Sequence, residues 1–229
     1  MATMNKVVEL RQRGIRARLR DAHEQGTLVR LWRSELEAAS FSGYVAALGK
    51  EYLLLWALGD YIGFDGLYAL RFRDITEVEA PDKNHRFLEK AMALRAIQPD
   101  WPDDFELDDV AGLVRSASKH APVIGVHVDT EGEDEVCYVG RLIGFESDGF
   151  LMQEISPDAE WMREASFFGF DEVSAVALRS PYHAALAEVA GEPTDDVRPP
   201  SRNVFLLMRR RPPRSTLARP ARDEASFPA

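Results

Sequence analysis

Tyr52-Leu53-Leu54-Leu55-Trp56-Ala57-Leu58, Leu67-Tyr68-Ala69-Leu70-Arg71-Phe72-Arg73 and Asp74-Ile75-Thr76-Glu77-Val78 run almost in succession, with a Gly- and Asp-bearing loop after the first. The pattern returns in Phe150-Leu151-Met152-Gln153-Glu154-Ile155, Ser166-Phe167-Phe168-Gly169-Phe170 and Glu172-Val173-Ser174-Ala175-Val176. Leu53 and Leu151, Phe72 and Phe170, and Ile75 and Val173 are each 98 positions apart. One offset shared by three segments is the signature of a duplicated unit.

Short alternating or wholly apolar runs bounded by Gly, Pro and Asp read as strands. In the first copy they cover 27–33, 41–48, 52–58, 67–73 and 76–79, and in the second 123–128, 136–145, 150–155, 166–170 and 174–178. Strand side chains alternate, so Tyr68, Leu70 and Phe72 share one face and Ala69, Arg71 and Arg73 the other. That predicts a core face and a wet face. The 52–58 run is apolar on both faces and is expected to be covered on both. Asp74 and Asp171 are placed to cap tight turns before the last strands.

Helical stretches bracket each set. Residues 5–23 carry Val8, Ile15, Leu19 and Ala22 on one stripe, and 108–119 carry Val110, Leu113, Val114 and Ala117. Further helices are expected over 84–96 and 183–190. Pro99 and Pro102 resist both helix and ladder, so 98–103 reads as a linker. The predicted fold is α+β and mainly β: two tandem small five-stranded barrels, each flanked by helices, over 1–97 and 98–202.

Gly43-Tyr44-Val45-Ala46-Ala47-Leu48 followed by Tyr52-Leu53-Leu54 resembles the first motif of the Sm-like (LSm) barrels, in which a Gly bends strand two. Gly140-Arg141-Leu142-Ile143-Gly144-Phe145 followed by Phe150-Leu151-Met152 is similar, with one extra residue in its turn. The resemblance implies Sm-like or Src-homology-3-like barrels. Family members that hold RNA in a ring carry an Asp and an Asn in this motif and commonly an Arg-Gly pair in the second. Here Gly49 and Leu53 stand at the first pair in copy one, Glu146 and Leu151 in copy two, and no Arg-Gly follows either. The side chains that would bond and stack bases are missing, so that mode of RNA binding is not expected.

The 229 residues carry a net charge of −10, distributed unevenly. Residues 1–33 hold eight Lys or Arg against three acids, and 203–229 hold six Arg against two, which leaves −19 for 34–202. So acidic a middle repels phosphate. No apolar run approaches the roughly 20 residues that span a bilayer, and six charged residues interrupt the first twenty positions after Lys6. A cytoplasmic protein without membrane partners is expected. Cys137 is the only cysteine, which excludes an intrachain disulfide, and its apolar strand predicts a buried structural thiol.

The tail is set apart. Leu207-Met208-Arg209-Arg210-Arg211-Pro212-Pro213-Arg214-Ser215-Thr216-Leu217 is basic and proline-broken, and it resembles the conceptual translation of sequencing-adapter DNA. That resemblance implies that 203–229 is a disordered, artefactual tail and that the natural C-terminus is missing.

Catalytic signals are weak. His127 and Asp129 share a strand face with Glu131 nearby, but a few ligands on one exposed strand are an ordinary coincidence, so no metal is expected. Ser147-Asp148-Gly149 reads as a hairpin turn rather than a nucleophile, and Gly59 to Gly66 lacks the lysine of a phosphate loop. No catalytic residue and no cofactor is expected. Two features point to binding. Tyr61, Phe64 and Trp161 stand in corresponding loops, where aromatic residues can anchor a protein partner or a second copy of the chain. Arg11, Arg13, Arg16, Arg18 and Arg20 line the first helix and provide the alternative, a weak grip on RNA. The expected function is therefore a non-enzymatic interaction or scaffold protein.

Overall fold

The computed structural model describes residues 2–129 and 135–200, with side chains from residue 9 onward. The 203–229 tail, Val8's side chain and Glu131 lie outside the described residues. The strands are β1 (Leu28–Trp32), β2 (Ser40–Leu48), β3 (Tyr52–Leu58), β4 (Phe64–Arg71), β5 (Glu77–Glu79), β6 (Ile124–Val128), β7 (Val136–Phe145), β8 (Gly149–Glu154), β9 (Ser166–Gly169) and β10 (Val173–Leu178). The helix α1 (Ala2–Gln25) precedes them, α2 (His85–Leu94) and α3 (Val110–His120) separate the two groups, and α4 (Pro181–Ala190) follows. The last helix begins two residues before its predicted start because Ser180 caps it, accepting from His183 N–H, and Pro181 fits the first turn.

Hydrogen bonding joins all ten strands into one antiparallel sheet in the order β5-β1-β2-β3-β4-β10-β6-β7-β8-β9. This corrects the expectation of two separate barrels: the fold is α+β and dominated by a single sheet that does not close. The reason lies at β4, which pairs with β10 instead of β5, setting Leu70 opposite Ala175 and Leu67 opposite Leu178. β5 and β9 remain as edges of only 3 and 4 residues, too short to template much further pairing.

Each strand group bends at the same step. The β2–β3 register shifts between Val45 and Ala47, and the β7–β8 register between Leu142 and Gly144. Two residues before each shift stands a glycine against the neighbouring backbone. A Cβ on Gly43 would lie 2.2 Å from the Trp56 carbonyl oxygen, and one on Gly140 2.2 Å from that of Gln153. Only glycine permits that approach.

Both faces of the central strands are covered. Tyr52, Leu54 and Trp56 of β3 join Leu113, Val114 and Ala117 of α3 in one core. Leu53, Leu55 and Ala57 join Ile15, Leu19 and Ala22 of α1 in the other, so β3 is covered on both faces. The wet face expected for β4 is a second core face: Ala69 is fully buried and Arg71 is 5% exposed. Arg71 donates to Asp74 at 2.6 Å and to the Val173 and Asp171 carbonyl oxygens at 2.9 and 3.2 Å, while its buried Nη2 has no partner. Asp74 thus binds a guanidinium rather than capping the turn through its carboxylate. Tyr52 Oη donates to the same Val173 carbonyl at 3.0 Å. No helix among the described residues is long and apolar enough to cross a membrane.

Candidate functional site

β6 and β7 set His127 directly opposite Cys137 in their antiparallel pairing. Val136 to Val139 form one wall of a cavity of about 600 Å³ roofed by α4, with Tyr68 and Asp65 of β4 and Glu154 of β8 closing it. Its mouth is apolar, since Val136, Met162 and Tyr182 line it and are 37%, 46% and 60% exposed. Cys137 is exposed, which corrects the expectation of a buried structural thiol. The strand is apolar as a whole, but its register points the sulfur at the cavity instead of the core.

His127 is correspondingly not a solvated edge residue. Its Nδ1 lies 3.0 Å from Glu135 Oε2, and the strand register places it across from Cys137. Glu135 is in turn fixed by the fully buried Arg33, whose Nη1 and Nη2 donate to Oε1 at 3.1 Å and Oε2 at 2.7 Å. Ser174 Oγ donates to the same carboxylate. Arg33 also takes Glu37 through Nε at 2.8 Å, so two carboxylates surround one buried guanidinium. Such a network is costly to desolvate and stands only because nearly every donor has a partner.

The electrostatics follow from this geometry. Burial opposes charge on His127, but hydrogen bonds and charges from Cys137 and Glu135 outweigh it and raise its pKa to about 9. Burial likewise opposes charge on Glu135, and the His127 hydrogen bond with the Arg33 charge holds it at about 2. His183, on α4 in the same cavity, is driven the other way, to about 4, by burial and then by the His127 charge. At neutral pH the cavity therefore holds one imidazolium and one neutral imidazole. Burial, then the neighbouring Asp60, raises the Asp65 carboxyl.

The residues singled out in the sequence lie elsewhere. Tyr61 is exposed, its hydroxyl turned back to the Phe64 carbonyl, with Arg95 donating to Tyr61's own carbonyl. Phe64 packs on Trp56 with ring centroids 5.0 Å apart. Trp161 sits under the end of α4, its Nε1 donating to Gly191 O at 2.9 Å, in a different apolar cluster from Phe64. Phe64, expected in a loop, opens β4, and it and Trp161 pack into separate apolar clusters. In the arginine row, Arg11 bonds the Thr76 carbonyl, and Arg16 bonds Lys50 O at 2.6 Å and stacks 3.7 Å above the Phe72 ring. Arg13, Arg18 and Arg20 are exposed. Among the described residues no group of three His, Cys, Asp or Glu side chains is placed to share a metal ion.

Sequence reasoning missed Glu135, Arg33, Ser174 and His183. The available signal was local: a Glu two residues before the only cysteine, and a His on the preceding strand. No family model, curated protein or solved structure matches the chain.

Proposed function

We propose that this chain is a non-catalytic protein-interaction protein, built from two copies of an Sm-like unit, that seats a segment of a partner protein in the cavity beneath α4. The observation that carries the reading is the cavity mouth. Val136, Met162 and Tyr182 are exposed apolar side chains gathered around an opening whose lining includes Asp65 and Glu154 and, among the described residues, no Lys or Arg. Apolar rims around a few oriented polar groups are how binding sites are built. The occupant this favours is an apolar side chain flanked by a cationic one.

The duplicated-unit part of the reading is supported by three correspondences. The strand order 5-1-2-3-4 in the first group matches 10-6-7-8-9 in the second. The register shifts at Val45 and Leu142 are 97 positions apart, as are the glycines at 43 and 140.

Selection from a random displayed peptide library tests the proposal. Enriched peptides should carry an aromatic or long aliphatic residue beside Lys or Arg, and Tyr182→Ser with Met162→Ser should abolish their binding. Enrichment of acidic peptides, or binding indifferent to the double substitution, would overturn it. The second reading, weak RNA binding by the arginine row, keeps only Arg13, Arg18 and Arg20 as ready contacts, because Arg11 and Arg16 are engaged by the chain's own carbonyls.

A further inference from the structure

We infer that Cys137 is a thiol–disulfide exchange site that takes up small, positively charged aminothiols from their disulfides. The inference uses the cavity's geometry and stands whatever protein segment binds at its mouth.

Three features converge on the sulfur. The first is accessibility: Cys137 is exposed and lines a cavity of about 600 Å³, ample for a thiol of a few heavy atoms. The second is the imidazole set against it. His127 has Nδ1 committed to Glu135 at 3.0 Å and stands directly opposite Cys137 in the β6–β7 register. Glu135 is itself locked by Arg33 and Ser174, so the imidazole is held in one orientation by a chain of contacts that a solvent-facing histidine would not have. A histidine so oriented against sulfur is an arrangement that activates a thiol.

The third feature is independent of the first two. His183 is 5% exposed and lines the same cavity, yet its buried Nδ1 has no hydrogen-bond partner. A buried polar atom without a partner costs stability unless something supplies one. The His183 ring and the Cys137 sulfur come together over Gly125, where a Cβ would lie 2.6 Å from His183 Cε1 and 3.0 Å from Sγ. Glycine at that point keeps the two groups side by side.

Charge selects the class of thiol. Asp65 and Glu154 line the cavity, the charge of the His127 imidazolium is already met by Glu135, and among the described residues no Lys or Arg lines it, so an ammonium group is favoured over a carboxylate. In the reaction the Cys137 sulfur attacks one sulfur of the small disulfide, whose S–S bond breaks as the new one forms. The proton given up by Cys137 passes to solvent, the His127 imidazolium stands opposite the attacking sulfur, and the departing thiolate takes a proton from solvent in turn. Cys137 is oxidised and half of the small disulfide is reduced. The chain has no second cysteine, so the mixed disulfide cannot collapse into an internal one and persists until an outside thiol removes it.

The test compares reaction rates of the full chain with cystamine and with oxidised glutathione, each divided by its rate with free cysteine, with the adduct read by intact mass. We expect cystamine to be favoured by roughly tenfold or more, and His127→Gln to slow it by a similar factor. Asp65→Asn with Glu154→Gln should remove the preference for cystamine over glutathione. Cys137→Ser must eliminate the adduct. A normalised cystamine rate equal to that of free cysteine, an unchanged rate in folded His127→Gln, or a preference for glutathione would each overturn the inference. Should His127→Gln fail to fold, the loss or persistence of preference in the carboxylate variant decides the matter.

Discussion

The guanidinium of Arg33, at the end of β1, grips the carboxylate of Glu135, at the start of β7, through two contacts of 3.1 and 2.7 Å. The residues are 102 positions apart and belong to different strand groups. Both are nearly excluded from water, with side-chain exposures of 0% and 5%. The pair therefore pins the first strand group against the cavity and orients His127 at the same time.

Removing one member leaves the other charged and buried, the costliest way to break such a pair. Arg33→Met should destabilise the fold by about 3 to 5 kcal/mol. Glu135→Gln in the same chain should recover part of the loss, because no uncompensated carboxylate then remains at that position. Urea unfolding of the two single variants and the double variant checks this. Strictly additive losses would show that the two side chains do not act as a unit.

The two histidines bend stability with pH in opposite directions. His127 has a folded pKa of about 9, above its unfolded 6.5, so its contribution is complete below 6.5 and is lost between 6.5 and 9. His183 sits at about 4, so the unfolded chain takes up its proton first and stability falls as pH drops from 6.5 to 4. Glu135, held at about 2, adds a further loss below 4.5. Stability should therefore peak near pH 6.5, each histidine limb falling by roughly 1 to 3 kcal/mol. Denaturant titrations across pH 4 to 9 measure it. His127→Gln should flatten the alkaline limb and His183→Gln the acid one, and an alkaline limb that survives without His127 would sink the assignment.

The two bend glycines make a sharper structural prediction. Gly43→Ala and Gly140→Ala each force a methyl to within 2.2 Å of a carbonyl oxygen on the neighbouring strand, where backbone must move. Each should cost about 2 kcal/mol or more, in the upper half of the usual range for overpacking or beyond it. Gly144→Ala is the control, since nothing lies within 4 Å of its Cβ position. Thermal midpoints of the three variants decide it, and a Gly140→Ala variant as stable as Gly144→Ala would mean the β7–β8 bend relaxes freely.

The strands were legible because period-two patterning and Gly or Asp punctuation are local. The 52–58 and 136–145 runs match β3 and β7 end to end. Which edge pairs with which was not legible. The β4–β10 seam is a match between Leu67 to Leu70 and Ala175 to Leu178, and no local pattern distinguishes it from closure of β4 on β5. The same limit hid the site. Cys137 sits in an apolar strand, and only its register against His127 turns it toward a cavity. Arg33 read as one more basic residue near the N-terminus, because its partner is brought to it by the folding of a sheet that the sequence shows only in pieces.

The arginine row of α1 should divide into a structural and a free part. Arg16 stacks 3.7 Å above the Phe72 ring, and its Nη2 donates to Lys50 O at 2.6 Å, fastening α1 to the turn between β2 and β3 and to the residues after β4. Cation–π contact and one charged hydrogen bond at a partly exposed site together contribute about 1 to 2 kcal/mol. Arg16→Gln should lower stability by that amount, and Arg11→Gln by less, since Arg11's bonds to Thr76 O are solvent-exposed. Replacing Arg13, Arg18 and Arg20 together by Gln should leave stability within about 0.5 kcal/mol, as surface substitutions do. On the RNA-binding reading, those same three positions supply the phosphate contacts. Each phosphate contact adds about −0.7 to the log–log salt slope on a single strand, so three give a slope near −2 and little binding at physiological salt. Fluorescence anisotropy with a labelled oligouridine, from 50 to 200 mM salt, reads this directly. A steeper slope that survives the triple substitution would locate the RNA contacts outside α1.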